Sequence, residues 1–290
     1  MNMLSNSEFK VFATNYITTN PKLNLYIVAD HTGMPGLHRE LVASPAKWAS
    51  LFADSREENE LSVAPFLILL GSYSSLKVSS RLLRWITDNG VPTSSLILLA
   101  SSQSLDTVQE RLSKRLDMKI SQNMDAMLRF FDPRVLEQLK KILSLDQAKN
   151  FFSAASTWWF VDRLGKLVEV SSEFKEVDDP CGQLCLSEKQ EATLVEALEP
   201  DRVIHLLLEA VPHLKKNLPH DRYGFAADKI RLANTFGIMS TIDLSLYCIV
   251  SLLCGDSFEK ERYWSEGLDQ VQSGEAKFTQ IVENYLGVEI

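Results

Sequence analysis

Nine residues, Leu128-Arg129-Phe130-Phe131-Asp132-Pro133-Arg134-Val135-Leu136, leave the backbone few choices. Leu128 to Phe131 is short, apolar and aromatic, and reads as the end of a β-strand. Asp132 suits an N-cap, because its carboxylate accepts from the free amides of the next turn. Pro133 fits the first helical position, where its missing N–H costs nothing and its fixed φ already matches a helix. Phe131 before the cap and Leu136 at the fourth helical position are spaced as a hydrophobic staple. The stretch therefore predicts a rigid strand-to-helix corner.

Ahead of that corner, helical and β-type patterns alternate. Ser7 to Thr18 sets Phe9, Phe12, Ala13, Tyr16 and Ile17 on one helical face, ended by Asn20-Pro21. Leu23 to Ala29 is a β-run that stops at the breaker-rich loop Asp30-His31-Thr32-Gly33-Met34-Pro35-Gly36. Trp48, Leu51 and Phe52 form a short apolar patch, followed by an acidic segment over 54–60 that reads as solvated. Val63 to Leu70 predicts a buried strand with Pro65 near its start, where a proline is tolerated. Ser75 to Asp88 predicts an amphipathic helix, Ser95 to Ala100 a buried strand and Leu105 to Leu116 a helix.

Beyond the corner, Pro133 to Leu143 and Asp146 to Phe152 read as helix, and Thr157 to Val161 with Lys166 to Val170 as a hairpin around Leu164-Gly165. Trp158 and Trp159 point to opposite sides of their strand, which makes them candidate interface residues; a core place for both is the plainer reading. Asp178-Asp179-Pro180-Cys181-Gly182 combines charge, proline and glycine, so it marks a domain boundary. Helical patterns dominate after it. Ser187 to Gln190 and Ser240 to Asp243 are spaced as capping boxes. Asp201 to Leu218 is interrupted by Pro212, Tyr223 to Phe236 follows, and Ser240 to Cys254 is apolar on most sides, as a central helix would be. A last helix covers Ala276 to Tyr285. The expected architecture is an α/β (α+β) N-terminal domain over 1–178, with a mainly mixed sheet flanked by helices, and an all-α domain over 183–290.

Few chemistries find their residues here. There is no Gly-x-Ser-x-Gly, no phosphate-binding Gly-rich loop and no His-Glu-x-x-His. Cys181 and Cys185 are separated by three residues, not the two usual in zinc knuckles, and no histidine follows closely. His205, His213 and His220 lie out of helical register, broken by Pro212 and Pro219. No metal and no cofactor are expected. Asp30 with His31 at a strand end is the one acid–base candidate, although neighbours in an extended chain point to opposite sides. An α/β hydrolase or transferase site there is the alternative reading. Residues 1–150 carry 17 basic and 15 acidic side chains, and 151–290 carry 13 and 23. That acidic second half disfavours nucleic acid and anionic membrane as partners. With no apolar run long enough to span a bilayer and no continuous apolar core near Met1, a cytoplasmic location is expected.

A strand ending in Arg-aromatic-aromatic-Asp-Pro-Arg-Val-Leu resembles the signature of the type VI secretion effector chaperones, also called adaptor proteins. Tyr26 and Asp30 on the first strand, and Ala64-Pro65-Phe66-Leu67, are similar to two further patterns of that family. The resemblance covers mainly residues 20–165. It implies a non-enzymatic protein of a Gram-negative bacterium that binds a secreted toxin and helps load it onto the spike of the secretion machine, which is a second possible partner. Tyr26, Asp30, Pro65, Arg129, Phe130, Phe131, Asp132, Pro133 and Arg134 are the residues to which the resemblance assigns a structural or partner-binding role.

Overall fold

The computed structural model describes residues 3–53, 55, 57–121, 124–178 and 183–287. The chain divides into two compact units, Met1–Leu194 and Val195–Ile290. The proposed boundary residues 179–182 lie outside the described residues, and the division falls within a helix that begins at Glu188.

Along the first unit run α1 (Asn6–Thr19), β1 (Asn24–Asp30), α2 (Leu37–Val42), β2 (Trp48–Ser50), β3 (Pro65–Ser72), β4 (Ser75–Leu76), α3 (Ser80–Gly90), β5 (Leu96–Ser101) and α4 (Leu105–Lys114). They are followed by β6 (Asp117–Ile120), β7 (Met124–Met127), α5 (Pro133–Ile142), α6 (Leu145–Phe151), β8 (Thr157–Val161), β9 (Leu167–Ser171) and β10 (Leu184–Cys185). One sheet has the order β2-β3-β1-β5-β8-β9, with β4 added on β3, and a second has the order β10-β6-β7.

The larger sheet is antiparallel in every pairing; only the smaller one is mixed, through the parallel β10–β6 pair. The reason lies in β1. β3 and β5, joined through α3, both run antiparallel to β1 and so run the same way, but β1 is inserted between them. Alternating helix and strand patterns thus lead to no parallel contact, because the two strands that a helix connects are not neighbours.

β1 is central, and Leu25 to Ala29 are fully buried because both edges of the strand and both faces are covered. The two faces of the sheet separate at the tryptophan pair. Trp159 packs edge-on against Phe12 and Tyr16 of α1, whereas Trp158 packs among Phe130, Phe151 and Phe152 on the other side. Exposures of 0% for Trp158 and 4% for Trp159 leave neither with a face for a partner. The Trp158 indole is also satisfied internally, donating to the Phe152 carbonyl at 2.8 Å. Both belong to the core.

In the second unit, α7 (Glu188–Ala210) enters from the first, followed by α8 (Arg222–Thr235), α9 (Thr241–Cys254), α10 (Arg262–Ser273) and α11 (Phe278–Leu286). α7 continues through Pro200, and Pro212 opens a separate 3-10 turn over Pro212–Lys216, as the loss of its N–H requires. Ser240 caps α9 by accepting from the Asp243 amide at 3.1 Å; the Asp243 carboxylate accepts from the Ser240 hydroxyl at 2.8 Å and from the Thr279 amide at 2.9 Å, so it does not reach the Ser240 amide to complete a box. Leu244 to Ser251 of α9 are all buried, and Tyr247 sits in a ring cluster with Phe258, Trp264 and Phe278. α10 carries the buried Trp264 and Leu268 and had no clear signal in the sequence, because its apolar positions are few.

Candidate functional site

Asp30 stands at the end of β1, where the register sets it opposite Pro65, the first residue of β3. A proline is compatible with that place because the ladder there asks nothing further of it. The chain then tightens into a 3-10 turn over His31–Gly33, and Asp30 caps it, its Oδ1 accepting from the Thr32 amide at 2.9 Å. The turn lies so close to Ser95, just before β5, that a Cβ on Gly33 would fall 2.0 Å from the Ser95 Oγ and 3.1 Å from its Cβ, so a side chain there makes Ser95 shift.

The signature corner reaches the same place from the other side of the sequence. Leu128 pairs with Leu116 beyond the end of β7, and the Phe130 amide then turns back onto the Leu128 carbonyl at 2.8 Å. The predicted strand end over Leu128–Phe131 is therefore a tight turn, in which Phe130 packs toward Phe151 and Trp158 and Phe131 toward Phe52. Aromatic residues read as strand formers here because both kinds of segment bury them. The helix start is as expected: Asp132 is the N-cap of α5, accepting from the Arg134 amide at 2.9 Å, and Pro133 takes the first helical position. Leu136 and Phe131 are both buried at this corner.

Two carboxylates and two guanidiniums meet there. Arg134 grips Asp132 with Nε at 2.8 Å from Oδ1 and Nη2 at 2.6 Å from Oδ2. The Arg129 Nη2 lies 3.4 Å from the Asp30 Oδ2, and its guanidinium stacks over the Phe131 ring at 5.3 Å. Burial raises the Asp30 carboxyl above the ordinary carboxylate value; Arg129 and the Thr32 amide oppose that shift and the Asp132 charge adds to it. The Asp30 side chain is 5% exposed and that of Arg129 is 48% exposed. The carboxylates are thus spent inside as caps, and the face that the cluster turns to solvent is cationic.

Not every residue singled out in the sequence joins this cluster. Tyr26 sits four residues back along β1, donating its hydroxyl to the Gln103 carbonyl at 2.7 Å; burial pushes its phenol up to about 12. His31 is turned away from Asp30: its Nδ1 is 2.9 Å from the Leu61 carbonyl and its ring lies 5.5 Å from Phe66. The Asp30–His31 pair therefore shares no hydrogen bond, and the two side chains have separate partners.

A second charged cluster had no sequence motif. Arg111 of α4 and Arg115, its C-cap residue, lie one turn apart, and both reach Asp178, at 2.5 Å and 2.9 Å. Arg111 also donates to the Ser153 carbonyl, and Arg115 to the carbonyls of Phe151 and Asn150. Burial alone would raise the Asp178 carboxyl, but hydrogen bonds from Arg115 and Arg111 outweigh it and hold the group well below the usual range. The only hint was the i, i+4 spacing of two arginines among the buried Val108 and Leu112.

Among the described residues, no three His, Cys, Asp or Glu side chains gather as metal ligands would. Cys181 lies outside the described residues, Cys185 is exposed, and burial pushes the Cys248 thiol up to about 12. His205 is exposed on α7, with Nε2 3.9 Å from Glu209. Among the described residues, no helix is long and apolar enough to cross a membrane.

Residues 25–150 match a family described as a domain of unknown function (DUF4123). The matched span holds Tyr26, Asp30, Pro65 and the whole of Leu128–Leu136. No curated protein and no solved structure matches the chain.

Proposed function

We propose that this chain is a non-enzymatic adaptor that binds a type VI secretion effector and helps load it onto the spike protein of the secretion machine. The observation that carries the reading is the family match over 25–150, which encloses the residues named for the resemblance to the effector adaptors. That family is associated with such adaptors. The gathering of Asp30, Pro65, Arg129, Phe131, Asp132 and Arg134 at one end of the sheet supports it, since residues far apart in sequence then form one local structure.

In this reading the first unit carries the shared corner, and the helical unit offers cargo contacts through exposed apolar residues such as Met239, Ile242 and Leu253. Acidic residues around them set orientation and on-rate. Binding stabilises the cargo by mass action and involves no covalent change to it.

The test is affinity purification of the tagged full-length chain from its native host, with mass spectrometry of what is retained. A roughly stoichiometric effector or spike protein is expected. Recovery of the chain alone, while a neighbouring effector is plainly expressed, would overturn the reading.

A further inference from the structure

The small sheet β10-β6-β7 has one edge closed and one open. β6 is covered on one side by β10, a segment that comes from far downstream, pairs Leu184 with Met118 and Cys185 with Lys119, and continues with the Leu186 amide on the Lys119 carbonyl at 3.0 Å. On its other side β6 pairs with β7, and β7 ends the sheet.

Which groups β7 leaves open follows from the ladder. The Leu128 amide donates to the Leu116 carbonyl, so this pair is a hydrogen-bonded one. Antiparallel pairing alternates, which turns the main-chain groups of Ala126 and Met124 toward β6 and those of Asp125 and Met127 outward. Among the described residues these outward groups have no hydrogen-bond partner. Natural edges are blunted by short length, charged side chains (lysine above all), proline, a bulge or a covering segment. β7 is short and carries one charge, Asp125, but it has no lysine or proline, and its two methionines, 51% and 37% exposed, present adaptable apolar surface.

A cleft of about 420 Å³ opens at the Met127 end of this edge, lined by Ser55, Glu57, Glu110, Lys114, Asp117 and Met127 among others. Lys114 is paired with Glu110 at 2.7 Å. Among the described lining residues, Glu57 and Asp117 then leave the cleft with an excess of negative charge. A main-chain ladder beside a side-chain cleft is the arrangement by which sheet edges bind extended peptides, the ladder giving affinity and the cleft selecting one side chain.

We propose that the outer edge of β7 takes up an extended segment of a partner protein as an added strand, with a lysine or arginine of that segment seated in the cleft at Met127. The inference goes beyond the cargo reading, because it concerns how a strand is held and not which protein supplies it.

The probe is a library of displayed random peptides selected on the full-length chain, with selected peptides then measured by fluorescence anisotropy. Enriched sequences should carry a lysine or arginine at a fixed position. Asp125→Pro removes an outward N–H that β6 does not use, and should weaken binding about tenfold, whereas Asp125→Ala should leave it unchanged. Glu57→Lys combined with Asp117→Lys should erase the basic preference. Should Asp125→Pro fail to fold, amide exchange on the unaltered chain decides: the Asp125 and Met127 amides must slow when peptide is bound. Absence of enrichment, or a selected peptide that leaves those amides unprotected, overturns the proposal. So does a dimer of the free chain that Asp125→Pro dissociates, since the edge would then belong to a second copy.

Discussion

The Arg129 guanidinium stands 3.4 Å from the Asp30 carboxylate, across 99 residues of sequence. It ties the strand-to-helix corner to the end of the central strand through opposite charges. Its geometry is long for a hydrogen bond, so its main effect is to lower the cost of keeping a carboxylate in a buried place.

Arg129→Ala should therefore destabilise the fold in a pH-dependent way. Asp30 has a raised pKa when folded, so its charged form opposes folding and stability falls as pH rises through that pKa. Without Arg129 the rise is larger. The variant should lose about 1 kcal/mol near neutral pH, and much less once acid has neutralised Asp30. Urea unfolding of both chains at neutral and mildly acidic pH measures the difference; a gap that stays constant with pH would show that Asp30 is not the group involved.

Asp132→Ala tests the corner itself. The cap on the Arg134 amide and the paired Arg134 side chain are lost together, and the expected cost is about 1 kcal/mol. Retained folding together with lost partner binding would assign Asp132 a direct contact as well as the cap.

Asp178→Asn should be more costly, because two guanidiniums that are 5% and 9% exposed lose their shared counter-charge. About 2 kcal/mol is expected, less than for a fully buried pair because the carboxylate is partly solvated. The sign with pH is opposite to that of Asp30. A lowered carboxyl stabilises the fold above its unfolded value, and that contribution is lost as pH falls through the folded one. The gap between variant and parent should therefore close in strong acid, as read by denaturant titration from neutral pH downward.

Gly90→Ala sets helix propensity against packing. Gly90 is the last residue of α3, so the gain from alanine is small. The new Cβ would lie 2.6 Å from the Leu96 side chain, which is fully buried in β5. Packing should win, with a loss of about 1 to 2 kcal/mol in thermal or chemical unfolding.

Elements whose signals are local are legible in the residues themselves. The Asp132-Pro133 helix start, the Thr157–Ser171 hairpin, the buried strands β1, β3 and β5 and the apolar helix α9 depend on caps, turns and periodicity within a few residues of themselves. Tertiary structure decided what depends on neighbours far along the chain. β6 and β7 carry few β-type residues and exist because they pair with each other and with β10. β1 became the strand that separates β3 from β5, so an alternating pattern produced an antiparallel sheet. Both tryptophans went inside because each face of β8 found its own aromatic cover. Asp30 with Arg129, and Asp178 with Arg111 and Arg115, are charge pairs whose partners are chosen in space, where a buried charge must find its counterpart, and no spacing in the sequence records that choice.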